Sequence, residues 1–469
     1  MTLLHLRCCC TSYAPRSPLF RALLVLALGA GSAMAHAQLR APMLNLPLPQ
    51  RLGPLDTGRL AEPGERLPGV DELRKLRGVR LAQVEALLLR HRDVLEADPR
   101  GAPVVRHEIL AWSPSPAALA LAATAGLMVA RDAAFDGAAR MVVLRVPGEA
   151  DTAAMLAQLR ALDPDGVYDF NHVYTGSSAG AMADAANPAA SPAARAGLDG
   201  AAKAAAGSGA GAGAAAGAPK IGLVDSGVDG AHPVFRDAHI VRWGCTDVAH
   251  PSDHGTAVAA LMVGKSARFR GVAPQATLYA ADIYCDAATG GSADRIAGAL
   301  AWLAREKVAV INLSLVGPPN QALERAVGAM LKSGTLLVAA VGNDGPAAPP
   351  LYPASYPGVI GVSGVDQRGR ALPEAARGPQ VMFAAPGNNM ISAAIGAPAY
   401  KAVRGTSFAS PLVAALLAGE LARPDPVLAA AALAALTKQA TRAERASVSN
   451  ETGYGVVGAA FRVDPEGFR

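Results

Sequence analysis

Residues 220–469 alternate between short apolar runs and segments of helical periodicity. The runs at 220–224, 240–245, 277–285, 308–316, 335–341 and 359–365 show no in–out alternation, so they predict strands covered on both faces. Between and after them, 255–263, 292–307, 321–332, 407–421 and 426–441 predict helices. Ile296, Leu300 and Leu303 share one helical face in 292–307, as do Leu323, Val327 and Met330 in 321–332. This order implies an α/β domain built on a mainly parallel sheet with helices on both faces. In such sheets active sites lie beyond the carboxyl ends of the strands.

The first half reads differently. A strand at 104–111 leads to Ser115 and Pro116, an N-cap and first helical residue, opening a helix to Gly126. Strands at 127–134 and 141–146 flank the turn residues Phe135-Asp136-Gly137. Asp151 then caps a helix with Met155, Leu159 and Leu162 on one face, and 167–174 forms the last strand. The order βαββαβ over 103–174 is the split βαβ, ferredoxin-like α+β plan. Ahead of it, Leu73, Leu76, Val84, Leu88 and Leu95 predict a helix over 70–97, interrupted near Gly78, and 38–69 is a Pro/Leu/Arg-rich lead-in, so 38–102 forms one lead-in-and-helix segment. Residues 175–219 are mostly Ala, Gly, Ser, Pro and Asn and read as a linker. A flexible segment of that length has a root-mean-square span of roughly 35 Å.

Composition sets the compartment and removes several classes. Hydrophobic residues at 51% and charged residues at 17% exclude a disordered polymer. The net charge of +5 includes Arg7, Arg16 and Arg21 and forms no basic stripe, which argues against a nucleic-acid partner. Those arginines precede an apolar run at 22–35 and the small-residue pattern Ala35-His36-Ala37, the order of a signal peptide over 1–37. The chain is therefore expected to be secreted or periplasmic, with an uncleaved anchor as the alternative. No other run is long enough for a membrane span, so none is expected in the mature form. Of 5 cysteines, Cys8, Cys9 and Cys10 fall in the leader; Cys245 and Cys285 remain, either bridged or as two buried thiols. Without CxxC, HExxH or a zinc-spaced cluster, no catalytic metal or other cofactor is expected.

The chemistry is concentrated in four short segments. Asp225-Ser226-Gly227 follows the strand IGLV, His254-Gly255-Thr256 opens a helix, Gly405-Thr406-Ser407 opens another, and Asn343 lies in Gly342-Asn343-Asp344-Gly345 after a strand. A serine hydroxyl needs a base within hydrogen-bond reach, and a neutral imidazole needs a carboxylate to fix its tautomer. Asp225, His254 and Ser407 supply those types. A helix N-terminus at Ser407 and the Asn343 amide supply donors for a developing oxyanion.

These patterns, with His232-Pro233 and the terminal Gly453-Tyr454-Gly455-Val456-Val457, resemble the subtilisin-like serine peptidases, or subtilases, over 220–469. The order Asp, His, Ser along the chain is that of the family's triad. The resemblance implies Asn343 as the oxyanion-hole amide. It also implies Asn312-Leu313-Ser314-Leu315 and Val316 as the strand pairing with substrate main chain, and Ala340, Val341 and Gly342 as the opposite wall of the P1 pocket. Leu351, where the family often has Gly, is expected to make the pocket floor and favour small or medium P1 residues; the alternative is that it faces the core while the loop 346–350 shapes the floor. Cys245 and Cys285 would close strands that neighbour each other in the family's sheet and so form a disulfide.

The resemblance also makes 103–174 a propeptide, an intramolecular chaperone and inhibitor cut shortly after Tyr174 or within the linker. The loop before Gly271-Val272-Ala273-Pro274 lacks the Asn/Asp-rich run that binds calcium in some members, so no calcium site is expected there. The implied activity is endopeptidase action on polypeptides by a monomer. Acyl transfer to an amine, or a catalytically silent binding scaffold, are the alternatives.

Overall fold

The computed structural model describes residues 70–135, 139–176, 218–441 and 448–468. The expected signal peptide, the lead-in 38–69 and nearly all of the linker lie outside the described residues. In the N-terminal part, α1 (Val70–Arg90), β1 (Leu95–Ala97), β2 (Pro103–Trp112), α2 (Pro116–Thr124), β3 (Met128–Ala134), β4 (Arg140–Arg145), α3 (Thr152–Leu162) and β5 (Val167–His172) follow in sequence. β2 lies between β4 and β5, and β3 flanks β4, all antiparallel, which is the ferredoxin-like order. Both helices start at the predicted caps: Ala118 N–H donates to Ser115 Oγ (3.0 Å) and Ala154 N–H to Asp151 Oδ1 (2.7 Å).

Two expectations are corrected here. The helix predicted over 70–97 runs through Gly78 and stops at Arg90, where the His91 carbonyl takes the amides of Val94 and Leu95. Leu95 then belongs to β1, paired with Val105, so the sheet begins before residue 103. At the other end the extended chain continues past Tyr174 as β6 (Thr175–Gly176).

The C-terminal part contains β7 (Lys220–Asp225), β8 (His239–Trp243), α4 (Asp253–Val263), β9 (Thr277–Asp282), α5 (Ala293–Arg305), β10 (Val310–Leu313), β11 (Leu315–Val316) and α6 (Gln321–Lys332). There follow β12 (Leu336–Ala340), β13 (Ile360–Val365), β14 (Val381–Pro386), β15 (Met390–Ala393), β16 (Tyr400–Val403), α7 (Thr406–Glu420) and α8 (Pro426–Gln439). Seven strands form one sheet in the order β14-β13-β12-β10-β7-β9-β8, and every pairing is parallel. One face packs on α4, α7 and α8 through Leu223, Val258, Val338 and Val413; the other packs on α5 and α6 through Val224, Ile311, Leu300 and Val327. Buried on both faces, these strands have no reason to alternate, which is why they read as continuous apolar runs.

The ferredoxin-like sheet adds to the second core. Leu110, Met141 and Val143 join Ile296 and Leu323 in one cluster. Its β5 also satisfies orphan amides at two helix starts: Gln321 N–H donates to Asp169 Oδ2 (2.7 Å) and Asp294 N–H to Asn171 Oδ1 (3.2 Å). Among the described residues no helix is long and apolar enough to cross a membrane.

Candidate active site

Three elements on the carboxyl side of the sheet converge. Asp225 is the last residue of β7 and is 2% exposed. Its Oδ1 lies 2.8 Å from His254 Nδ1 and accepts from the Ser226 amide (2.6 Å) and hydroxyl (3.0 Å). A carboxylate so held accepts a hydrogen bond from Nδ1–H, keeping that proton on the ring and leaving Nε2 as its basic nitrogen. His254 lies in the first turn of α4, with its ring 5.4 Å from that of Phe408. Ser407, immediately before Phe408, lies in the first turn of α7 and is 0% exposed. The structure thus places Asp225 against His254, and His254 against the start of α7.

Asn343 joins them from the end of β12. Its Oδ1 accepts the Thr406 amide (3.1 Å), while the Gly342 amide donates to Thr406 Oγ1 (3.3 Å). The loop after β12 is thereby stitched to the N-terminus of α7. Gly405 permits this approach, having φ +134° and no β-carbon; one would lie 3.1 Å from Asn343 Nδ2.

The expected binding walls divide into backbone and side-chain roles. The 308–316 run, predicted as one strand, breaks at Ser314 into β10 and β11. The Ser314 hydroxyl donates to the Ser407 carbonyl (3.1 Å) and receives Asn312 Nδ2 (2.8 Å), which buries it behind the cleft. Leu315 and Val316 are buried, and their main chain pairs antiparallel with Gly176 and Thr175. Ala340 is fully buried, and the Val341 side chain turns into the core with Val359 and Val381, so Val341 does not line a pocket. Gly342, Val316 and Leu351 meet: a β-carbon on Gly342 would lie 2.5 Å from Leu351 Cδ1 and 3.5 Å from Val316 Cγ1. Leu351, 8% exposed, therefore fills the slot between β11 and the end of β12 and belongs to neither face of the sheet core.

The chain's own segment occupies this cleft. Tyr174 N–H donates to the Gly291 carbonyl (2.8 Å), Val173 bridges Ser292, and β6 pairs with β11. Tyr174 is completely buried; its hydroxyl donates to the Pro318 carbonyl (2.8 Å) and lies 3.4 Å from that of Tyr356. Burial pushes the Tyr174 phenol well above its ordinary value. From α1, Arg80 Nε lies 3.1 Å from Asp344 Oδ2, and one terminal nitrogen donates to Thr175 Oγ1 and the Val316 carbonyl, both at 3.3 Å. Sequence reasoning missed Arg80, Asp344, Gly291 and Tyr356. The tail motif Asn171-His172-Val173-Tyr174 was visible, but Gly291, Pro318 and Tyr356, which seat Tyr174, are more than a hundred residues away.

Cys245 and Cys285 are joined, with Cα atoms 5.1 Å apart, just beyond the ends of β8 and β9. The strands stop at Trp243 and Asp282, earlier than the runs 240–245 and 277–285 implied. Among the described residues, the one cluster with metal-ligand geometry is Cys245, Asp282 and Cys285, and its two sulfurs are already bonded to each other. Burial raises the Asp282 carboxyl, against the lowering effect of the Cys285 and Tyr284 amides.

The Subtilase family model matches residues 217–455, the sheet and helices that carry all four segments. The chain belongs to the subtilase family. It is 34% identical to subtilisin E of Bacillus subtilis (strain 168) over 204 residues, covering 42% of this chain and 53% of that protein. To M-protease of Shouchella clausii (strain KSM-K16) it is 36% identical over 208 residues, with the same coverage. This subtilase therefore spans about half the length of those curated relatives. Among solved structures, fervidolysin from Fervidobacterium pennivorans, a keratinolytic enzyme related to subtilisin, superposes with TM-score 0.58 at 18% identity, covering 76% of this chain and 61% of that one. That likeness establishes the shared fold.

Proposed function

We propose that this subtilase is an exported serine endopeptidase made as a self-inhibited precursor. Ser407 attacks a peptide carbonyl, and His254 takes its proton and passes it to the leaving amine. Asp225 orients His254 and stabilises the imidazolium. The Asn343 amide and the Ser407 N–H stabilise the oxyanion, and water then hydrolyses the acyl-enzyme. The observation that supports this reading is the antiparallel pairing of β6 with β11, directly after Ser314, whose hydroxyl bonds the Ser407 carbonyl: an extended segment of the chain pairs as a substrate main chain would.

The register gives the reading a cut site. Ser314, whose hydroxyl bonds the Ser407 carbonyl, immediately precedes Leu315, and Leu315 faces Gly176 in the antiparallel ladder. The residue after Gly176 is Ser177, so the precursor is expected to cut itself between Ser177 and Ser178. A small residue there suits a slot partly filled by Leu351. Residues 103–176 then serve as chaperone and inhibitor, and the mature enzyme acts as a monomer without a cofactor.

Acyl transfer to an amine uses the same acyl-enzyme, and a silent scaffold would use none of it. A fluorophosphonate probe with peptide mapping tests the reading: labelling at Ser407, lost in His254→Ala, is expected together with hydrolysis of a quenched peptide. No labelling and no turnover would leave the silent scaffold. Turnover mainly to an amide product when a competing amine is added would favour transfer.

A further inference from the structure

Two loops supply the donors proposed for the oxyanion, and one residue outside both is bonded to each. The loop after β12 carries the Asn343 amide, and the segment between β16 and α7 leads into the Ser407 N–H. Glu374, in the loop between β13 and β14, accepts the Gly345 amide on its main-chain carbonyl (2.8 Å). Its carboxylate takes one edge of the Arg404 guanidinium in two bonds, Nε to Oε1 at 2.6 Å and Nη2 to Oε2 at 3.0 Å. Arg404 Nη1 donates to Asn388 Oδ1 (2.6 Å), and Asn388 is buried. We propose that Arg404 and Glu374 are positioning residues of the oxyanion hole, which set the Asn343 amide and the Ser407 N–H at their working separation.

The geometry of the pair suits that role. Two parallel hydrogen bonds between a guanidinium and a carboxylate fix orientation as well as distance, whereas a single contact lets the two chains swing. The Glu374 side chain is 16% exposed and that of Arg404 43%, so the acceptor is held by protein while the donor meets the solvent side. The loops themselves are built from residues that resist collapse into one conformation: Gly342, Gly345 and Gly405 all have positive φ. Their direct contacts are single bonds, Thr406 N–H to Asn343 Oδ1 at 3.1 Å and Gly342 N–H to Thr406 Oγ1 at 3.3 Å. Glu374 adds a link that reaches both loops from behind, through its main chain to one and its side chain to the other. A donor moved from its place still lets substrate bind and loses part of its hold on the transition state. The proposal rests on the peptidase reading above and adds what keeps its oxyanion site in shape.

A double-mutant cycle tests it. Matured enzymes, with active molecules counted by fluorophosphonate titration, are compared on one quenched peptide. Arg404→Ala is expected to lower kcat by about tenfold or more and to leave KM within about twofold, because the loss falls on the transition state. Glu374→Gln keeps the side-chain shape and the bond to Gly345, and should show the same split with a smaller fall. In an Asn343→Ala background there is no amide left to place, so adding Arg404→Ala should cost less than about twofold more. A tenfold fall that persists in that background marks a merely structural contact and overturns the proposal. So does a change carried by KM, or native kcat in both single variants. No turnover by the native chain would instead overturn the peptidase reading, and this role with it.

Discussion

Asn343 is a residue whose side chain serves both the packing of the site and its proposed chemistry. Its Oδ1 accepts the Thr406 amide, which fixes which end of the side chain faces the helix and which faces Gly405. Asn343→Ala removes the Thr406 contact and, with it, the donor proposed for the carbonyl oxygen when it becomes anionic. Turnover is expected to fall by roughly 10² to 10³ with KM little changed. Steady-state kinetics checks this, and an unchanged kcat would remove Asn343 from the oxyanion hole. Gly342 offers a contrasting case. It has φ +101°, and a β-carbon would come within 2.5 Å of Leu351, so Gly342→Ala should displace Leu351 and lower both stability and activity. The triad types were legible in the sequence because each sits within two residues of a glycine at a strand end or helix start. The Arg80–Asp344 pair was not, since nothing local to Arg80 marks a partner on another element.

Leu351 carries the main prediction at the level of elements. The sequence left open whether it made the pocket floor or joined the core. Its contact with Gly342 puts it between β11 and the loop after β12. An inward Leu shortens the slot, so aromatic P1 residues should be cleaved about tenfold or more poorly than small ones. Leu351→Gly should narrow that gap in a P1-scanned peptide library; equal cleavage after Phe in the native enzyme would show that Leu351 does not limit the pocket.

Legibility of the elements followed burial. α6 was predicted with its observed limits because it has one apolar face, whereas α7, buried almost throughout, was recognised by the Gly-Thr-Ser at its start. The β15–β16 hairpin went unpredicted: Tyr400–Val403 is short and half exposed, and its pairing with Met390–Ala393 is set by tertiary contact. β1 was absorbed into the preceding helical pattern because Leu95 continues the spacing of Leu88, and only pairing with β2 turns it into a strand.

At the scale of the molecule, one bridge and one cut decide most of the behaviour. The Cys245–Cys285 bridge closes a loop of 40 residues around α4, which carries His254. In the chain-entropy model such a loop is worth on the order of 4 kcal/mol, so changing both residues to Ser should lower the denaturant midpoint of the Ser407→Ala precursor accordingly. An unchanged midpoint would mean the bridge does not constrain the unfolded chain. The parallel sheet and the ferredoxin-like unit were both legible from their patterns, but their mutual packing was not. Leu110, Met141 and Val143 meet Ile296 and Leu323 only because two faces, each amphipathic in its own part of the chain, complete one core. That joint core holds β6 in the cleft, and on it rests the claim that Ser407 cuts its own precursor. Intact mass and N-terminal sequence of the native protein and of Ser407→Ala, each made in a host without related proteases, test this most directly. The account predicts a mature native chain starting at Ser178 and an uncut Ser407→Ala precursor in which the segments flanking that bond stay joined. A Ser407→Ala protein that matures to the same N-terminus would contradict it.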